Sequence, residues 1–155
     1  MRIGLLLCIF FAGCATHPEA RWHTYDAGPF TFSLPSGFHK TSEHGIDSYV
    51  SEFESRDMSV DFDYGQYSGN SLDSLRKDPY SLQPKASYAS HIENIAGHKV
   101  QIVSIDVDPS HNKGFHHLIA ASYLGAGLTM IAKCSTTKGY DNAARIFRSV
   151  SFKQY

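Results

Sequence analysis

The stretch Phe30-Thr31-Phe32-Ser33-Leu34-Pro35-Ser36-Gly37-Phe38 decides how the rest of the chain is read. Phe30, Phe32 and Leu34 recur at every second position, so an extended backbone sets all three on one face. Pro35-Ser36-Gly37 then supplies turn chemistry, with a residue that lacks a backbone donor followed by one that tolerates positive φ. The same period continues in Met58-Ser59-Val60-Asp61-Phe62-Asp63-Tyr64. Met58, Val60, Phe62 and Tyr64 fall on one side, with Ser59, Asp61 and Asp63 on the other. That pattern predicts an antiparallel strand with one dry and one wet face. Tyr49–Glu54 is its expected hairpin partner across Ser55-Arg56-Asp57.

Further along, residues 99–106 form a β-branched run entered through Ile95-Ala96-Gly97, where the glycine permits a tight turn. Residues 115–124 and 128–135 read as another hairpin across Gly125-Ala126-Gly127. Two segments have helical character. Residues 71–77 begin on a serine N-cap and stop before Pro79, and residues 140–147 place Tyr140, Ala143, Ala144 and Phe147 on one stripe. Residues 150–153 are expected to close the chain as a strand. The fold class that follows is α+β: an antiparallel sheet of about six strands with helices packed on it. No internal repeat or second domain is visible.

These segments together resemble the PsbP-like fold. The opening strand and turn, F-x-F-x-L-P-x-G-F over residues 30–38, carry the likeness. So do Ile95-Ala96-Gly97 with the strand after it, and the closing helix that runs into Ile-Phe-x-Ser-Val-x-Phe at residues 146–152. The resemblance spans nearly the whole of residues 22–155. It implies a small binding or assembly-accessory domain and brings no catalytic signature; a shared fold does not by itself confer a function.

The N-terminus reads differently. Met1-Arg2 precedes an apolar run that ends in Phe11-Ala12-Gly13-Cys14. A positive start, a short greasy segment and small residues make an export signal, and the run is shorter than the roughly twenty residues a membrane span needs. The last four residues resemble the bacterial lipobox, with Phe11 where leucine is usual. That resemblance implies acylation of Cys14, a signal peptide at residues 1–13 and a lipidated tether at residues 14–21. It also implies a lipoprotein on the periplasmic side of the outer membrane, since Ala15 rather than aspartate follows the cysteine. The alternative is ordinary cleavage after Ala15, which would leave a periplasmic protein.

Composition removes several classes. Fourteen Lys and Arg balance fifteen Asp and Glu, for a formal charge of −1, and no basic block is present, so nucleic acid is not an expected partner. Three cysteines, of which Cys8 lies in the signal, do not make a disulfide framework. Cys134 shares the apolar face of Leu128, Met130 and Ala132, the setting of an inert thiol.

The residues that remain as candidates are few. Asp61 and Asp63 face the same way, roughly 6–7 Å apart at strand spacing, and with Tyr64 and Tyr67 they form a candidate binding rim. His111, His116 and Asp108, near a Gly-containing turn, are a candidate metal set, since imidazole and carboxylate suit zinc, copper or nickel. His116 and His117 are sequence neighbours in a strand and point to opposite faces. No nucleophile elbow, zinc-protease helix, phosphate loop or dinucleotide fingerprint occurs.

The leading expectation is a non-catalytic domain without a cofactor. It is held to a membrane by its N-terminal lipid and binds an envelope protein or a small ligand. The alternatives are a metal-binding protein or metal-dependent hydrolase built on His111 and His116, and a purely structural periplasmic domain.

Overall fold

A computed structural model of the chain describes residues 21–42, 49–66, 68, 87–110 and 112–154. The described residues form ten strands in two sheets. The smaller sheet has β1 (Trp22–Asp26), β2 (Phe30–Pro35) and β10 (Ser151–Phe152), in the order β1-β2-β10. The larger contains β3 (His39–Ser42), β4 (Tyr49–Glu54), β5 (Met58–Tyr64), β6 (Ser87–Ile95), β7 (His98–Asp106), β8 (His117–Tyr123) and β9 (Leu128–Cys134). Its order is β3-β4-β5-β9-β8-β7-β6, with every neighbouring pair antiparallel.

The described residues contain one helix, α1 (Thr137–Arg148), so the described part of the chain is richer in sheet than the α+β layout expected from the sequence. The strand count exceeds six because β1, β3 and β6 have no clean apolar alternation. The expected helix at residues 71–77 lies outside the described residues. The hairpin partners Tyr49–Glu54 and Met58–Tyr64 occur with the predicted bounds.

One interface organises both sheets. The inward side chains of β2 pack on the inner face of the large sheet, where Phe30 and Phe32 each make an edge contact with Phe62, at centroid separations of 5.1 and 5.8 Å. Phe53 and Tyr25 complete the aromatic cluster. α1 lies beside this cluster, against β8, β9 and β2, and buries Ala143, Ile146 and Phe147. Thr136 caps it by accepting from the Gly139 amide at 3.0 Å. At its other end the Tyr123 hydroxyl donates to the Phe147 carbonyl. Arg145 stacks over the Trp22 ring at 4.1 Å and so ties α1 to β1.

The outer face of the large sheet is not uniformly wet. Val103, Ile105, Leu118 and Ala120 are buried there as a second apolar cluster, with Val107 and Ile131 against it. β7 and β8 are apolar on both sides, as buried central strands are. The alternation of β5 shows only that strand's own composition; it cannot show that its neighbours bury the same face.

Two turns fix the register of the sheet. Ile95-Ala96-Gly97-His98 closes β6 on β7 with φ of 51° at Ala96 and 82° at Gly97, the two positive values that a type I′ hairpin turn requires. Alanine is unfavourable in that conformation by about 1–2 kcal/mol. Ala96→Asn should therefore raise the unfolding free energy by about 0.5–1 kcal/mol in urea titration; no gain would mean that the turn is not I′. At the β8–β9 turn, Gly127 has φ of 67°. A Cβ there would sit 2.9 Å from the Gly65 carbonyl oxygen, and the Gly127 carbonyl accepts from the Gly65 amide at 2.8 Å. Gly127→Ala should cost at least about 2 kcal/mol by the same measurement, since left-handed strain adds to a backbone clash.

Candidate functional site

The antiparallel register brings Ser87, Asp106, His117 and Cys134 into one rung across β6, β7, β8 and β9. Their side chains share the inner face, at the end of the sheet where α1 begins. The Ser87 hydroxyl donates to Asp106 Oδ2 at 2.7 Å, and His117 Nδ1 lies 2.7 Å from Asp106 Oδ1. These two hydrogen bonds, Ser87 first, hold the Asp106 carboxyl below its ordinary range. Asp106 is therefore an ionised acceptor, which places the proton on His117 Nδ1 and leaves Nε2 as the second ring nitrogen. The His117 ring meets Tyr140 edge-on at 5.7 Å. Ser87, Asp106, His117 and Tyr140, together with Ala89, Ser104 and Thr137, line an open cleft of about 330 Å³.

An aspartate that orients a histidine is half of a nucleophilic constellation. The other half is not assembled here. Ser87 is spent on the aspartate rather than on the imidazole. Cys134 is fully buried, and burial pushes its thiol up to about 12. At neutral pH it is a thiol and not a thiolate. The cleft can bind and can relay a proton, but it holds no activated nucleophile among the described residues. The sequence pairs His117 with His116 and not with Asp106. The link between them is the β7–β8 register, and a local motif does not carry it.

The sequence candidates fall in several places. Asp61 and Asp63 do share the outer face of β5, next to Glu52 of β4 and Thr129 of β9. Asp61 is half-buried. Desolvation, against the opposing pull of Lys133 and with smaller help from Glu52 and Asp63, pushes its carboxyl up to about 6. Asp63 Oδ1 and Thr129 Oγ1 are buried without a hydrogen-bond partner. Tyr64 is on the opposite, inner face, 5.7 Å from the Phe30 ring, so it does not share a rim with the aspartates. Tyr67 lies outside the described residues.

Of the metal candidates, Asp108 turns its carboxylate onto its own loop, where Oδ1 accepts from the Ser110 amide and hydroxyl at 2.9 and 2.7 Å. The His116 amide donates to the Cys134 carbonyl, and its ring centroid is 6.3 Å from that of His117. His111 and Cys14 lie outside the described residues. Among the described residues, no three His, Cys, Asp or Glu side chains are placed to hold a metal ion.

β6 was missing from the sequence-based expectation altogether. It is an edge strand of the large sheet, nine residues long, with Ser87 to Ile92 all exposed. Ile92 is 63% exposed and Tyr88 39%. Ser-Tyr-Ala-Ser-His-Ile-Glu-Asn-Ile does not alternate, because among the described residues only its Ile95 end is buried and residues 87–92 are uncovered on both faces. The signal that could have found it is the Ala96-Gly97 turn: a two-residue hairpin requires a strand on both sides. Glu93 on β6 receives Arg148 Nε and Nη2 at 2.9 and 2.6 Å and pairs with His91 at 2.8 Å. Arg148 first and His91 second hold its carboxyl down at about 2.

No family model and no curated protein sequence matches the chain. Among solved structures it is similar to the solution structure of cyanobacterial PsbP (CyanoP) from Synechocystis sp. PCC 6803. The TM-score is 0.54 at 11% identity, covering 92% of this chain and 99% of that one. The chain has a PsbP-like fold, as its opening strand and closing helix suggested, and the likeness extends to fold alone.

The Asp61 carboxyl gives a pH test of the outer face. Its pKa is raised on folding, so the native state holds the proton more tightly than the unfolded chain. The resulting stability is complete below about pH 4 and is lost as pH rises through about 6. Asp61→Asn should therefore be more stable than the parent near pH 8, by about 1–2 kcal/mol after allowance for the solvent that still reaches this half-buried group. Near pH 4 the two should converge. A pH-independent difference in denaturant midpoints would contradict the assignment.

Proposed function

We propose that this protein is a lipid-anchored envelope domain that works by binding and carries out no reaction. The observation that carries the binding half is the open edge of the seven-stranded sheet. Among the described residues, β6 offers a row of backbone donors and acceptors that no strand pairs, together with exposed Tyr88 and Ile92. Sheet edges of this kind take an added strand, with main-chain hydrogen bonds supplying affinity and alternate side chains supplying selectivity. The partner that fits is protein rather than a small molecule.

The edge opposite shows what an edge built to stay single looks like. β3 is four residues long, carries Lys40 and has an irregular register between Lys40 and Ser42. Shortness, lysine and a bulge all discourage edge pairing. β6 has no lysine, arginine or proline and runs unbroken against β7 for its full length.

The anchoring half rests on sequence. Phe11-Ala12-Gly13-Cys14 has the form of a lipobox, and the first described strand begins at Trp22, eight residues after Cys14. Several acyl chains, at about 0.8 kcal/mol per buried methylene, would make the attachment effectively permanent. A membrane location would confine the β6 edge to a thin layer and raise its effective concentration toward any partner tethered alongside. An outer-membrane, periplasm-facing site agrees with Ala15 after the cysteine.

Mass spectrometry of the mature N-terminus tests the anchor. A diacylglyceryl thioether on Cys14 and loss of membrane partition in Cys14→Ser are expected. An unmodified chain starting at Thr16 would overturn the anchor and leave a periplasmic binding domain.

A further inference from the structure

We infer that the strand which completes the β6 edge comes from a second copy of this chain, paired antiparallel about a two-fold axis at Ile92. The inference rests on the binding role proposed for that edge and names its occupant. Three features of β6 lead to it.

The first is hydrogen-bond parity. Across a two-residue turn, Ile95 and His98 form the closing hydrogen-bonded pair of the hairpin. The odd-numbered residues of β6 therefore bond to β7, while Tyr88, Ser90, Ile92 and Asn94 direct their N–H and C=O groups away from the sheet. An antiparallel copy can use those groups only in registers that match even residues with even ones. Centring on Ile92 does so, opposing Ile92 to its equivalent and Ser90 to Asn94 of the other copy.

The second is charge. In that register His91 stands opposite Glu93 of the other copy on one face, and the symmetry repeats the pair. Within one chain His91 and Glu93 are already 2.8 Å apart on that face, with Arg148 against the carboxylate. Pairing would build an alternating patch in which each Glu93 meets an imidazole from either chain. Moving the axis to His91 would stack imidazole on imidazole and separate these charges. Complementarity of this kind selects register more than it adds affinity.

The third is apolar area. Ile92, at 63% the most exposed large aliphatic side chain among the described residues, would pack on its own copy at the axis. Such a pairing is isologous: it consumes both free edges, gives one continuous sheet and stops at two. One strand pair buries less than a standard interface of about 1,600 Å², so the dimer belongs to the transient class in solution and gains from confinement to a surface.

The test uses the whole chain carrying Cys14→Ser, which removes the lipid and a competing thiol, so loss of the anchor and loss of the dimer are separately readable. Sedimentation should show a monomer–dimer equilibrium with no larger species. Ile92→Lys should weaken it at least tenfold while leaving the circular dichroism and melting temperature unchanged. Under mild oxidation Ile92→Cys should crosslink to itself, because paired residues at the axis have Cα atoms about 5.5 Å apart, within disulfide range. Tyr88→Cys, displaced from its own copy by eight strand positions, should not. A chain that stays monomeric to millimolar concentration, or Tyr88→Cys crosslinking as fast as Ile92→Cys, would overturn the inference.

Discussion

The structure depends on the burial of Phe30 and Phe32 against Phe53 and Phe62. These rings dock the three-stranded sheet onto one half of the inner face of the larger sheet, and α1 continues the layer over β8 and β9. Among the described residues their cover reaches only the Glu93–Ile95 end of β6 and leaves residues 87–92 exposed. A sheet seven strands wide, coated from one side by a small sheet and one described helix, leaves most of its last strand beyond the coat. The open edge is thus a consequence of where the aromatic core sits. The chain neither shortens that edge nor charges it with lysine, which is the usual remedy.

The same geometry explains why no nucleophilic set is assembled among the described residues. The rung Ser87-Asp106-His117-Cys134 contains residue types that hydrolases use, and two of its hydrogen bonds are short and well formed. The core that covers β9 also seals Cys134 from solvent, with the thiol pushed up to about 12 by desolvation. Burial decides against nucleophilic character, and among the described residues no cationic neighbour offsets it. What remains is a well-ordered Asp106–His117 pair in a shallow cleft, suited to holding a group more than to transforming it.

How much of this could be read from the sequence varied with burial. Strands β2, β5, β8 and β9 were legible because each has at least one face in a core, and apolar period follows burial. α1 was found by its stripe but began three residues earlier than expected, at Thr137, since the Thr136 cap and Gly139 carry no apolar signal. β6 was illegible for the converse reason, being exposed on both faces over residues 87–92. Asp61 and Asp63 were correctly placed on one face, yet that face is partly dry, because its neighbours Val103, Leu118 and Ala120 come from strands far away in sequence. Tyr64 could not belong to their rim, as the alternation that put it beside Phe62 already implied. The sequence located the candidate residues better than it located the surface that the fold leaves free.

Amide hydrogen exchange along β6, followed by NMR as a function of protein concentration, addresses that free surface most directly. In dilute solution the odd-numbered amides Ala89, His91, Glu93 and Ile95 should be protected by β7, and those of Ser90, Ile92 and Asn94 should exchange freely. As concentration rises, those three should gain protection together and the odd ones should not change. Exchange at Ser90, Ile92 and Asn94 that is independent of concentration, or protected already in the dilute monomer, would contradict the account of β6 as the working edge.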